Sequence, residues 1–181
     1  MTTSPQRYTR VAILLHWLIA ILILVMLLIG ESWIKDQKWL TPPVNGTNPA
    51  LHASVGLLIL ILSLARLGWR LMNPPPSDVP MPAWQATASH LLHWGFYALM
   101  VLVPLSGMAD LDRVIGKSHP EYANLTFFNT FTIPHFSMNW FGGLHDIFTK
   151  LIWALLAVHV LAALKHQFID KDGLLKRMLP Q

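Results

Sequence analysis

Four apolar stretches, each about as long as a bilayer is thick, decide what this chain can fold into. They lie near 11–30, 51–71, 88–109 and 143–164, and roughly 20 helical residues cross a ~30 Å hydrocarbon core. Inside lipid every backbone N–H and C=O must be satisfied within the segment or a closed barrel, and barrel strands would be shorter and alternate in polarity. The expected fold class is therefore all-α: a transmembrane four-helix bundle forming one membrane domain over 1–181. Composition agrees, with 54% hydrophobic and 12% charged residues against about a quarter charged in ordinary soluble domains. The first stretch exceeds the roughly 7–15 apolar residues of a secretory signal, and no small-residue cleavage motif follows Gly30, so it is expected to remain as a span.

Proline punctuates the connections, in Thr41-Pro42-Pro43-Val44-Asn45-Gly46 and from Asn73-Pro74-Pro75-Pro76 to Pro82, because it cannot continue a helix. The longest connection, Asp110 to Phe141, ends at Trp140 and Phe141, where an aromatic belt would lie. Orientation follows from the cations. Arg7, Arg10, Arg66, Arg70, Lys165, Lys171, Lys176 and Arg177 fall on one side; Lys35, Lys38, Arg113 and Lys117 fall on the other, with Lys150 just inside the fourth helix. Eight against four predicts both termini in the cytoplasm. The net charge of +4 thus speaks to sidedness in a bacterial inner membrane, and no nucleic-acid partner is expected.

The chain has no cysteine. Disulfides, iron–sulfur clusters and thiolate metal sites are excluded, and ligand chemistry falls to the nine histidines. An ionisable side chain inside a span is costly and usually functional. His16 and His159 lie at one depth, near the cytoplasmic ends of the first and fourth helices; His52 and His145 lie at another, just inside the outer boundary. His145 and His159 are fourteen residues apart, about 21 Å along a helix and only about 40° short of four full turns. One helix face therefore presents an imidazole near each membrane surface. Pairing His159 with His16, and His145 with His52, would give two sites, each able to hold one haem b through two axial imidazoles. Filling both axial positions leaves none open for oxygen, which favours electron transfer over oxygen activation. No Cys-x-x-Cys-His motif exists for covalent attachment.

His93 shares the depth of His16 and His159, so three imidazoles compete for two inner positions. An unused imidazole beside a haem can hydrogen-bond a quinone carbonyl and pass protons. His166, two turns beyond His159 on nearly the same face, is its expected companion. His93 and His166 are assigned to a quinone pocket, with His93 as a haem ligand the open alternative. His90 reads as a boundary residue, and His119 and His135 as solvent-exposed outer residues. Gly56 and Gly95 either admit a flat macrocycle or let helices approach. Arg66 and Arg70, one turn apart, either pair with haem propionates or snorkel to cytoplasmic phospholipid, and snorkelling is the expected role. Trp17, Trp33, Trp94 and Trp153 read as interfacial or packing residues before electron relays.

These residues carry a resemblance. Arg10-Val11-Ala12-Ile13-Leu14-Leu15-His16-Trp17, Leu51-His52-Ala53-Ser54-Val55-Gly56, Ala65-Arg66-Leu67-Gly68-Trp69-Arg70, His90-Leu91-Leu92-His93 with Pro104 and Gly107, Leu144-His145-Asp146, His159, His166 and the closing Lys171-Asp172-Gly173-Leu174-Leu175-Lys176-Arg177-Met178-Leu179-Pro180 together resemble the bacterial cytochrome b561 family of di-haem membrane proteins over nearly the whole chain. The architecture also looks like the cytochrome subunits of membrane-bound formate dehydrogenases and hydrogenases. The resemblance implies the ligand pairs His16 with His159 and His52 with His145, and places His93 and His166 near a quinone. It further implies superoxide oxidase activity, with electrons taken from superoxide at the periplasmic surface and delivered to ubiquinone near the cytoplasmic side.

The outer loops pair four cations with six acids, Glu31, Asp36, Asp110, Asp112, Glu121 and Asp146. Steering an anion is helped by a positive surface, and this composition does not supply one. A cytochrome subunit that takes electrons from a periplasmic redox protein docked on the outer loop is therefore the second expectation. A histidine-lined proton or metal transporter without haem is the third, and a colourless purified protein would mark it.

Overall fold

The computed structural model describes residues 7–29, 47–117, 125–136 and 138–180. Its elements are α1 (Arg10–Ile29), α2 (Thr47–Met72), α3 (Ala83–Lys117), strands β1 (Thr126–Phe127) and β2 (Phe131–Thr132), the short α4 (Asn139–Gly142) and α5 (His145–Lys165). A π-helical turn at His166–Asp170 and a 3-10 turn at Leu175–Arg177 follow. Four helical segments are long and apolar enough to span a membrane: Arg10–Leu28, Ala50–Met72, Ala83–Asp110 and Trp140–Asp170. The fold is the expected helical bundle, and the chain is a multi-pass membrane protein. The expectations resting on Lys35, Lys38, Glu31, Asp36, Glu121, Trp33, His119 and the 41–46 connection lie outside the described residues.

The third helix differs from its expected span of 88–109. It starts at Ala83, where the Pro82 carbonyl accepts from the amides of Gln85 and Ala86 at 2.9 and 3.2 Å, and it runs past Asp110 to Lys117. Its first turns carry Gln85, Thr87, Ser89 and His90, too polar to register as a span. The segment expected as a loop from Asp110 is thus helical in its first part.

Helix α1 packs on α2, α2 on α3, and α3 on α5. Ile19, Val55, Ile59, Met100 and Ile152 form the buried centre, while Leu14, Ile21, Leu28, Leu64 and Leu161 face outward, as lipid contact requires. Ile152 stands midway along α5 between His145 and His159, so the bundle centre is an apolar plug between two polar ends.

Each end is closed differently. At one end the C-terminal segment folds back beneath the bundle: Arg7 donates to the carbonyls of Lys176 (2.7 Å) and Leu179 (3.2 Å), Trp17 to that of Met178 (2.6 Å), and Arg177 to that of Ser77 (2.6 Å). Residue 7, the C-terminal segment and the α2–α3 connection therefore share one end. At the other end a β1–β2 hairpin turns through left-handed Phe128 and Asn129 (φ 43° and 60°). Ser54, fully buried on α2, clasps it: the hydroxyl donates to the Thr126 carbonyl (3.1 Å) and accepts from the Phe128 amide (3.0 Å).

Candidate functional site

The histidines gather at the two ends of the bundle. His52 on α2 and His145 on α5 face each other at the hairpin end, with ring centroids 6.3 Å apart and planes at 65°. His16 on α1 and His159 on α5 do the same at the opposite end, again 6.3 Å apart, at 63°. An imidazole nitrogen binds a transition metal at about 2.0–2.1 Å and sits ~1.1 Å from its ring centre, so two rings ligating one ion from opposite sides stand roughly 6.2 Å apart. The centroid spacing of both pairs matches that separation.

Local chemistry prepares the pair at the hairpin end. Pro104 interrupts the backbone ladder of α3, and the carbonyl just before it, on Val103, accepts from His145 Nδ1 (2.9 Å) and from the Ser106 hydroxyl (2.8 Å). A carbonyl only accepts, so Nδ1 carries the proton and Nε2 keeps its lone pair for a ligand. The ring fits because residue 107 has no side chain: a Cβ there would stand 3.1 Å from His145 Cε1 and 3.2 Å from Nδ1. A second glycine sets the start of α5, since a Cβ at Gly142 would lie 2.7 Å from the Asp110 Cα. Around the pair, from the hairpin side to the core, is an apolar cavity of about 200 Å³ lined by His52, Gly56, Pro104, Leu125, Ile133 and Ile152 among others. A Cβ added at Gly56 would meet nothing within 4 Å, so this glycine borders open space, whereas one at Gly95 would meet Leu155 Cδ2 at 3.0 Å. Of the two roles weighed for small residues, Gly56 suits room for a macrocycle and Gly95 suits helix approach.

The opposite end holds three imidazoles. His159 faces His16 on one side and His93 on the other, the latter at 5.9 Å, with Phe96 packed edge-on at 5.6 Å. His93 Nδ1 lies 3.3 Å from the Ser89 hydroxyl one turn earlier. His16 Nδ1 is buried and has no hydrogen-bond partner, which leaves the ring without a protein group to explain its place there.

His166 is buried in the π-helical turn, and its Nδ1 donates to Asp172 Oδ2 at 2.6 Å, with Asp170 Oδ2 at 3.3 Å. The left-handed Lys171 and Gly173 (φ 53° and 75°) turn the chain so that Asp172 can reach back, and its other oxygen accepts from the Leu174 amide at 2.9 Å. The ligand atoms of His166, Asp170 and Asp172 lie within 4.8 Å of one another, but Lys165 is ion-paired to Asp170, so the group is a closed charge network. No ring contact joins His93 to His166 among the described residues. His90 is exposed and bonded to Asp78 (3.0 Å), as befits a boundary residue, and His135 is exposed.

Three functional groupings were not visible in the residue pattern. The Val103 carbonyl has no side-chain identity to read. Asp172 stands only within the closing stretch from Lys171 to Pro180, with no role attached to it. Tyr97, whose ring lies 5.7 Å from the guanidinium carbons of both Arg66 and Arg70, gave no signal.

Four spanning segments with facing imidazoles at both ends define a multi-pass membrane protein with a histidine site at each end of its bundle. Residues 7–181 match the family described as prokaryotic cytochrome b561, and the chain belongs to that family. It is 31% identical over 188 residues to "cytochrome b561 homolog 2" of Escherichia coli strain K12, covering 98% of this chain and 94% of that one. It is 32% identical over 181 residues to a "cytochrome b562" of Cereibacter sphaeroides, covering 99% and 98%. A "probable superoxide oxidase CybB" of Yersinia pestis is 27% identical over 186 residues, covering 97% of each. Membership makes the chain a bacterial membrane electron-transfer protein and implies haem b.

Proposed function

We propose that the chain binds two haems b, one held by His16 and His159 and the other by His52 and His145, and that it oxidises superoxide at the outer surface and reduces ubiquinone at the cytoplasmic end. The observation that carries this reading is the pair of 6.3 Å imidazole separations at opposite ends of one bundle, both served by α5. Haem with two imidazole ligands supplies a reversible one-electron carrier without an open coordination position. The protein's part is to hold and to exclude. Val103 fixes His145 in the tautomer that can ligate, the Ile152 layer keeps water from the bundle centre, and the Ser54-clasped hairpin covers the outer cavity.

At the cytoplasmic end His93 and His166 are assigned to ubiquinone. His93 is the unused third imidazole beside His159; its Nδ1 faces Ser89, and Nε2 is the atom left for a quinone oxygen. Asp172 fixes His166 through Nδ1, which makes Nε2 the atom that takes up and releases a proton. Two superoxide anions, one ubiquinone and two protons then give two dioxygen molecules and one ubiquinol. With both termini in the cytoplasm, as the cation distribution supports, those protons come from the cytoplasm.

Mixing the purified protein with a pulse of superoxide tests this directly. The expected result is rapid reduction of the haem absorption bands with ubiquinol formed. Haems that dithionite reduces and superoxide leaves oxidised would exclude superoxide as donor. The acid-rich outer loops favour a second reading, a docked periplasmic redox protein as donor, and co-purification of a partner that reduces the haems would establish it.

A further inference from the structure

Arg66 and Arg70 lie within the second span, one turn apart and hence on one face of α2. Cations there were expected to snorkel outward to phospholipid. Arg70 lies over the exposed ring of Trp94, at 5.9 Å. Both guanidinium groups lie over the ring of Tyr97, 5.7 Å from its centroid, and Tyr97 is a core residue of α3, 8% exposed. Arg66 is close enough to His16 and His159 to act on both electrostatically, and Arg70 on His93, so the two charges stand at the inner imidazole cluster. Among the described residues no carboxylate is ion-paired to either; Asp78, Asp146, Asp170 and Asp172 pair with His90, Lys150, Lys165 and His166 instead. Two unpaired cations at membrane depth are costly, and the π face of Tyr97 offsets only part of that cost. The planar fork of arginine matches an oxyanion with two parallel hydrogen bonds.

We propose that Arg66 and Arg70 bind the two propionate carboxylates of the inner haem, so that α2 supplies the anion clamp while α1 and α5 supply the iron ligands. This rests on the reading of His16 and His159 as the inner ligands. A phospholipid phosphate would satisfy the same oxyanion chemistry, and the experiment separates the two sources. Midpoint potentials of both haems are measured in the purified holoprotein and in R66Q, R70Q and R66K, together with redox-difference infrared spectra of protein carrying haem labelled with carbon-13 at the propionate carboxyls. A cation beside the propionates favours the reduced, less positive haem. Each Gln variant should therefore shift the inner haem toward the oxidised form by roughly tenfold, about 59 mV downward for one electron, leave the outer haem unmoved, and shift the labelled carboxylate bands. R66K should recover much of the potential and leave the bands displaced, because it keeps the charge and loses the fork. If Gln variants shed the inner haem, R66K carries the test through the same bands. Unchanged potentials and unmoved bands at full haem occupancy would overturn the proposal and assign the guanidinium groups to lipid. Full occupancy of both haems in H159A would overturn the ligand reading beneath it instead.

Discussion

His145 shows how little freedom a proposed ligand side chain has here. Its ring is held between the Val103 carbonyl and the bare Cα of Gly107. Gly107→Ala would press a methyl group against the imidazole at 3.1 Å, and the ring would leave its hydrogen bond. Loss of such a partner costs about 10–100-fold in metal affinity, so haem quantitation should show the outer haem depleted and the inner one retained. Gly95→Ala meets only the flexible end of Leu155 and should keep both haems. At the other end, Asp172→Ala removes the acceptor that fixes His166. Quinone reduction should slow by about 100-fold while both haems still accept electrons; an unchanged rate would remove His166 from the quinone site. The imidazoles themselves were legible in the sequence because ionisable groups inside a span are rare and expensive. Their anchors were not, since one is a backbone carbonyl and the other stands beyond a turn.

The element that organises the chemistry is α5. Its register, fourteen residues from His145 to His159, could be read without coordinates because helical rotation is fixed. That register can be broken. One Ala inserted after Leu155 turns His159 by about 100° relative to His145 and lifts it by about 1.5 Å, so the spectrum of the variant should show the outer haem alone. Two intact haems would mean that α5 does not serve both sites. The hairpin over the outer cavity depends on one hydroxyl. Ser54→Ala leaves the Thr126 carbonyl and the Phe128 amide unpaired, at a cost of about 1–3 kcal/mol, visible as a lower unfolding temperature in detergent. Helix ends were less legible than helix centres: α3 begins at Ala83 because its polar first turns remain helical on proline and backbone bonding, which an apolar window does not register.

The whole molecule is sided. Its amino- and carboxy-terminal ends are bonded together through Arg7, while the hairpin closes the opposite face. Because the chain lacks cysteine, single introduced thiols report sidedness cleanly. A cysteine at Ser77, exposed at the end that Arg177 ties down, should resist an impermeant maleimide in intact cells, and one at Phe128 should react; the reverse pattern would invert the proposed topology and with it the direction of electron flow. Bundle architecture was legible because lipid admits few backbone solutions. The contact of Arg66 and Arg70 with Tyr97 was not, because periodicity places both residues on one face without saying what that face meets.

The central claim is that this single polypeptide holds two bis-imidazole haems, one at each end of the bundle. The most direct measurement is the molar ratio of haem b to chain in protein purified with its lipids, taken beside His52→Ala and His16→Ala. Two haems in the parent chain, with one remaining in each variant and the optical features of the two variants complementary, is the predicted result. A parent ratio of one, or variants that each keep two, would contradict it.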